Sequence, residues 1–135
     1  MPSRVYAYLS VSGFTCKPEA VTAVVGLPAE RIRLAGERTR GGRLITENIW
    51  SSQPPVPEGE EQPDFHVAAV LNHITARPTE LTEFLRRHDS GINCVGYFKR
   101  VNGGFHMPSE LVARCADLGV WLDFDLYNYA VEGEP

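Results

Sequence analysis

The spacing of hydrophobic and polar residues between positions 94 and 127 predicts a strand, a helix and a second strand. Residues 94–99 are rich in β-forming side chains and precede a Gly-Gly turn, and residues 109–118 place hydrophobic side chains at near-helical spacing before Gly119. From residue 120 onwards, hydrophobic residues alternate with aromatic or acidic ones, which is typical of a strand with two unlike faces. Because a helical crossover joins them, the two strands are expected to be parallel.

The beginning of the chain repeats part of this pattern. Residues 5–27 align with residues 94–119 once two short gaps are allowed, and the matches fall at turns and helix ends. The matched pairs are Tyr8 with Tyr97, Gly13 with Gly104, Phe14 with Phe105, Pro18 with Pro108, and Gly26 with Gly119. We interpret the similarity as a duplicated βαβ unit, with convergent turn chemistry as the open alternative.

Between the two units, the run Arg40-Gly41-Gly42 predicts a hairpin that joins residues 31–38 to residues 43–51. The hairpin carries five of the thirteen basic residues of the chain. They are Arg31, Arg33, Arg38, Arg40 and Arg43. Such a cluster could bind an anionic ligand or an acidic partner. We favour a solvated edge, kept charged so that the strand does not pair with another chain.

Residues 52–63 are rich in proline and glutamate and predict an exposed loop. Asp64 is suited to cap the helix that follows, Pro78 to begin a second helix, and Gly91 to end it. The last residues, 131–135, predict a short frayed tail. With 135 residues, the chain is expected to form one domain, 1–135.

These elements predict an α+β fold with a mixed sheet of about five strands. Their order is β-α-β-β-α-α-β-α-β, in which a hairpin strand and a helix pair join two duplicated βαβ units. The helices are expected to cover one face of the sheet, as in ferredoxin-like folds.

Several runs of the sequence resemble a known family. They are SGFTCKPEAVTAVVGLPAERI near the N-terminus, CVGYF, GGFHMPSEL and LDFDLY in the C-terminal part, and the lone Trp50 after the Gly-Gly hairpin. Over nearly its whole length, the chain is similar to domain-of-unknown-function family 4279, which is found mainly in bacteria. The resemblance implies this fold and a bacterial origin, and it implies no activity.

Composition and charge indicate which kinds of partner and which cellular compartment to expect. No hydrophobic run approaches the ~20 residues that span a bilayer, and no signal-peptide hydrophobic region follows Met1, so no membrane association is expected. The cysteines, Cys16, Cys94 and Cys115, are far apart and form no CxxC pair, which predicts reduced thiols in the cytoplasm. The net charge of −4 disfavours nucleic-acid binding.

The face of the sheet turned away from the helices is predicted to carry aromatic and acidic side chains. They are Tyr6, Tyr8, Tyr97, Trp121, Asp123, Asp125, Tyr127 and Tyr129. Tyrosine and tryptophan on rigid strands suit a binding surface. We therefore expect this face to bind a protein partner, or to be used in self-association as a homodimer. Burial of the face under the arginine hairpin or a second protomer is the open alternative.

The sequence contains no specific catalytic or metal-binding motif. Asp123 and Asp125 give only a weak metal signal, because two carboxylates alone are too few ligands. A nucleophile pair of Cys94 or Cys115 with His106 can be drawn, but alternation places Cys94 in the core, where a thiol is inert. We expect no catalytic residue, no metal and no cofactor.

Two functions remain. The favoured one is a non-enzymatic protein-binding module, of which an immunity-type protein that neutralises a toxin is one concrete version. The alternative is a small-ligand-binding protein or enzyme, whose pocket would require four distant side chains to converge. These four are Trp50, His106, Trp121 and Asp123, with Arg40 and Arg43 as further ligand-binding residues.

Overall fold

The computed structural model describes residues 4–99 and 105–128, and this part of the chain contains five strands and four helices. In chain order they are β1 (Arg4–Ser12), α1 (Pro18–Val25), β2 (Arg31–Arg33), β3 (Ile49–Ser52), α2 (Pro63–Ala76), α3 (Thr79–Arg87), β4 (Asp89–Phe98), α4 (Ser109–Leu118) and β5 (Trp121–Asn128). The number and order of the elements, and the α+β class, are as predicted.

The strands form one sheet in the order β2-β3-β1-β4-β5. β4 and β5 are parallel, as predicted for strands joined by a helical crossover, whereas β1 pairs antiparallel with both β3 and β4. β3 lies between β1 and β2 and pairs antiparallel with each of them. The N-terminal unit is therefore a split βαβ unit, and the strands are adjacent in the C-terminal unit. The origin of the two units by duplication stays a prediction.

The helix ends of the two units are alike where the sequence matches. Gly26 after α1 and Gly119 after α4 both adopt the left-handed conformation, with φ of 78° and 72°. Each of these glycine N–H groups donates a hydrogen bond to a carbonyl of the last helical turn, and so satisfies an otherwise unpaired acceptor. Pro18 is the first residue of α1, while Pro108 stands one residue before α4.

The four helices pack on one face of the sheet and enclose the core with it. α2 packs on the central strands β1 and β4, α3 on β4 and α4 on β5, while α1 contacts α3. Alternate residues of β1 and β4 point into this layer and are buried. They are Val5, Ala7, Leu9 and Val11 of β1, and Ile92, Cys94 and Phe98 of β4. On the same side of β5, Phe124 and Leu126 extend beyond the helices and are 40% and 45% exposed.

The arginine hairpin is less regular than predicted. Regular pairing is confined to β2 and β3, and a single bridge joins Arg38 to Leu44 farther out. A turn at 34–37 interrupts the strand, since the N–H of Glu37 donates to the carbonyl of Leu34. The predicted tip is present, because the N–H of Gly42, with φ of 85°, donates to the carbonyl of Thr39.

The sequence-based prediction for Gly91 is wrong. Helix α3 ends at Arg87, and β4 begins at Asp89 and continues through Gly91, which pairs with Trp121 of β5. A Cβ atom on Gly91 would lie only 1.9 Å from an atom of the Trp121 ring. The indole N–H of Trp121 also donates to the Asp89 carboxylate across 2.7 Å. Glycine is needed here for the close approach of an indole ring.

Residues 53–62 link β3 to α2 without a helix or strand, and most of them are exposed. A ring nitrogen of His66 on α2 bonds the Glu60 carbonyl across 2.8 Å and holds this loop against the helix. Helix α2 begins at Pro63, with Asp64 in its first turn rather than at its cap. The predicted Gly-Gly turn at 103–104, Tyr129 and the tail at 131–135 lie outside the described residues.

We predict that Gly91→Ala destabilises the protein by about 1–3 kcal/mol, because the new methyl group would displace the Trp121 ring. Chemical denaturation followed by circular dichroism measures the change. The matched control is Gly41→Ala, where the nearest atom to a Cβ is 4.0 Å away, and its effect should stay below about 0.5 kcal/mol. Equal stability of the two variants would contradict the close packing of Trp121 on Gly91.

Candidate functional site

The face of the sheet opposite the helices, called the open face below, carries all seven predicted partner-binding residues. They are Tyr6 and Tyr8 of β1, Tyr97 of β4, and Trp121, Asp123, Asp125 and Tyr127 of β5. The strand register brings them together, because Tyr8 pairs with Asn93, and Asn93 pairs in turn with Asp123. Alternation along the strands was therefore sufficient to identify a contiguous surface.

The tyrosines of the open face form a continuous row across three strands. The Tyr8 and Tyr6 rings are 6.4 Å apart, and the Tyr97 and Tyr127 rings stack at 4.9 Å with an interplanar angle of 13°. Burial, and after it the neighbouring Tyr97, raise the pKa of Tyr6, so Tyr6 and Tyr97 lie close together and connect the two halves. The Arg4 guanidinium lies 5.0 Å from the Tyr6 ring centre, which is a cation–π distance. We call Tyr8, Tyr6, Tyr97 and Tyr127 the tyrosine row.

The charge on the open face changes sign from one edge to the other. Asp123 and Asp125 are exposed on the edge strand β5, whereas Arg31 and Arg33 lie on β2 at the opposite edge. Tyr8 lies between the two charged edges, and both affect its pKa. Burial raises the pKa of Tyr8 most strongly and nearby Asp125 raises it further, while Arg31 lowers it.

The arginine hairpin forms the wall of a groove over the β2 side of the open face. The groove has a volume of about 610 Å³. It is lined by Tyr6, Tyr8, Ser10, Glu30, Arg31, Arg33, Thr39, Arg40, Gly41, Arg43, Ile45, Ile49 and Ser51. Of the hairpin residues in this lining, Ile45 is buried, and on the sheet beneath, Ser10 and Ser51 are buried as well. The hairpin thus covers one end of the open face and leaves the β5 side exposed. We call this cavity the arginine groove.

The four side chains of the alternative pocket do not converge. Trp50 is fully buried on the helix side of the sheet, and its indole N–H donates to the Thr22 hydroxyl of α1 across 3.0 Å. Trp121 and Asp123 lie on the open face. His106 is exposed in a separate cavity of about 450 Å³, together with Asp64, Phe98 and Phe105. The core position of Trp50 follows from its register with Val11, which the sequence alone does not reveal.

The remaining ligand-binding residues of that alternative, Arg40 and Arg43, line the arginine groove instead. In the sequence these arginines and the tyrosines of β1 belong to separate elements, and nothing there predicted that they meet in one cavity. The signal that could have found the groove is the alternation of Arg31 and Arg33 in a strand, which places both on one face of the sheet.

Cys94 and three of the histidines have structural environments. Cys94 is buried in the core, and burial raises the pKa of its thiol to about 11, so at neutral pH it is protonated and a poor nucleophile. His66, His73 and His88 each bond a backbone carbonyl through a ring nitrogen. Across residues 4–99 and 105–128, no three His, Cys, Asp or Glu side chains group as a metal site would require. None of the helices in this part of the chain is long and hydrophobic enough to cross a membrane.

We predict that the raised pKa of Cys94 lowers the free energy of unfolding by about 2 kcal/mol as the pH rises from 9 to about 11. The buried thiol stays protonated in the folded protein, whereas the unfolded thiol ionises above pH 9, so this contribution is complete below pH 9 and is lost above it. Denaturation of Cys94→Val across this range should show a shallower decline than the wild type. Cys16 is exposed, so Cys16→Ser should keep the wild-type slope, and parallel slopes for all three proteins would contradict the prediction.

Comparison with known proteins identifies the family. No curated protein and no solved structure matches the chain. The family model described as Domain of unknown function (DUF4279) matches residues 3–129, which is nearly the whole chain, and this confirms the resemblance seen in the sequence. The chain therefore belongs to the DUF4279 family.

Proposed function

We propose that this protein is a non-enzymatic binding module whose open face contacts a protein partner with a basic surface. One observation carries the proposal: the tyrosine row lies directly beside two exposed carboxylates, Asp123 and Asp125, on rigid strands of the sheet. The partner would cover the aromatic rings and pair basic side chains with the carboxylates.

The tyrosine row supplies contact area at low entropic cost. Tyr127 is 48% exposed, yet its ring is already held in place by stacking on Tyr97. A side chain that is ordered before binding loses little rotamer freedom on association, and buried tyrosines are among the residues that contribute most to interface affinity. The aromatic part of the open face therefore suits an interface core, with the phenolic hydroxyls available for polar contacts.

The acidic edge favours a different protein over a second copy of the chain. β5 is an edge strand of the sheet, and antiparallel pairing of two copies about Phe124, near the middle of the strand, would place Asp123 of one copy opposite Asp125 of the other. Like charges directly opposite each other destabilise strand pairs. A basic partner surface gains attraction from the same residues and associates faster.

We also propose a cellular compartment for the protein. Free thiols at Cys16, Cys94 and Cys115 suit a reducing bacterial cytoplasm. An immunity-type protein is one form of the proposed module, in which the acidic edge would cover a basic surface of a toxin. This form is supported by the chemistry of the open face, where the exposed carboxylates of Asp123 and Asp125 lie beside the tyrosine row.

We predict that a photocrosslinking phenylalanine analogue in place of Tyr127 forms one discrete adduct with a protein in the native host. The same analogue in place of Val112, which is 47% exposed on helix α4, should form none. Gel electrophoresis and mass spectrometry of the adduct provide the measurement.

Charge reversal provides the control for the adduct. Asp125→Lys should reduce the crosslink at position 127 at least about tenfold, because the variant repels a basic partner. Asp117→Lys makes the same change of charge on α4 and should leave the crosslink intact. Equal crosslinking at positions 127 and 112, or an adduct that Asp125→Lys does not weaken, would refute the proposed interface.

We further predict that the purified protein is monomeric by light scattering, because the acidic edge disfavours self-pairing. Tyr127→Glu should also be monomeric. A wild-type dimer that dissociates in Tyr127→Glu but persists in Val112→Glu would show that the open face is used in self-association, contrary to the proposal.

A further inference from the structure

The arginine groove collects positive charge from two separate elements. Arg31 and Arg33 pair in register with Ser51 and Ile49 of β3, and this register places them on the open face. Arg40 and Arg43 come from the opposite wall, where they flank the tip of the hairpin. Protection of a strand edge against pairing requires charges along that edge only. It does not explain why arginines from two separate elements line one groove.

None of these four guanidinium groups is paired with a carboxylate in the described structure. Within residues 4–99 and 105–128, none of the four makes an ion pair or donates a side-chain hydrogen bond, whereas Arg38 donates to the Gly42 carbonyl across 2.9 Å. Like charges that share one concave surface repel each other and destabilise the folded state. A bound anion would relieve that repulsion and would stabilise the folded protein.

The polar side chains of the lining favour phosphate. Ser10, Ser51 and Thr39 contribute hydroxyl groups to the groove. Among the described residues of the lining, Glu30 supplies the one carboxylate, which already accepts a hydrogen bond from Gln53 across 3.0 Å. Four positive charges against one negative charge match a ligand with several negative charges better than a single carboxylate. Guanidinium groups also bind phosphate oxygens through paired, parallel hydrogen bonds.

We propose that the arginine groove binds a small molecule that carries two or more linked phosphate groups. The volume of about 610 Å³ admits a molecule of nucleotide size. The Tyr6 and Tyr8 side chains line the sheet side of the groove and can contact a planar ring attached to the phosphates. This site does not rest on the proposed protein interface, because its arginines lie on β2 and the hairpin and the interface carboxylates lie on β5 at the opposite edge. The two sites share only Tyr6 and Tyr8.

Titration calorimetry on the full-length protein tests the site with three probes in the presence of a chelator. They are inorganic triphosphate, adenosine triphosphate and a pentaglutamate peptide. Both phosphate probes should give saturable one-to-one binding that weakens as salt is added. Equal affinity of the two would assign recognition to the phosphates alone, and tighter binding of the nucleotide would add a contribution from the tyrosine rings. Absence of saturable binding, or equally tight binding of pentaglutamate, would overturn the proposal.

Single substitutions in the groove test whether its arginines bind a ligand or only stabilise the fold. Arg31→Gln and Arg43→Gln should each weaken triphosphate binding about tenfold or more, as expected for the loss of a charge-assisted hydrogen bond. The control Arg87→Gln removes an exposed arginine of α3 and should bind like the wild type. Without ligand, the melting temperatures of both groove variants should equal or exceed that of the wild type, because repulsion is reduced. Unchanged triphosphate affinity in both variants, or a lower melting temperature without ligand, would overturn the proposal.

Discussion

The antiparallel pairing of β1 with β4 is the constraint on which the rest of the structure depends. It runs without interruption from Arg4 opposite Tyr97 to Ser12 opposite Asp89, at the centre of the sheet. Because side chains alternate along a strand, a slip by one residue would move Leu9 and Val11 into solvent and bury the tyrosines of β1. The same register that buries the core therefore holds the tyrosine row on the other face, and stability and the candidate surface share one determinant.

Local patterns in the sequence were sufficient to predict the helices and strands and to predict which residues lie on the open face. Alternation and helix-end signals act over a few residues, so they can be recognised locally. They were insufficient where a residue depends on a distant partner. Gly91 looked like a helix end, and only its contact with Trp121, thirty residues later, explains a glycine inside β4. Trp50 looked like a ligand-binding residue, but its pairing with Val11 places it in the core. Alternation can place Arg31 and Arg33 on one face of β2, but only the strand order shows that this face meets Tyr6 and Tyr8 in the arginine groove.

The two ends of the open face have opposite charge, and the tyrosines of β1 lie at the boundary. Tyr6 and Tyr8 belong to the tyrosine row and also line the arginine groove. A molecule in the groove and a protein on the β5 side would therefore contact neighbouring parts of the same row. If each changes how these rings are held, the two binding equilibria are linked, and the linkage acts equally in both directions.

The two tryptophans of the chain are on opposite faces of the sheet, and each has its own polar partner. Trp50 is enclosed between the sheet and α1, with its N–H bonded to Thr22, whereas Trp121 lies half-buried over Gly91, with its N–H bonded to the Asp89 carboxylate. Their fluorescence emission should accordingly report two different events. Trp50 emits from a dry environment that persists until the core opens. Trp121 emits beside a carboxylate at the surface, so the protein contains a built-in optical probe of its open face.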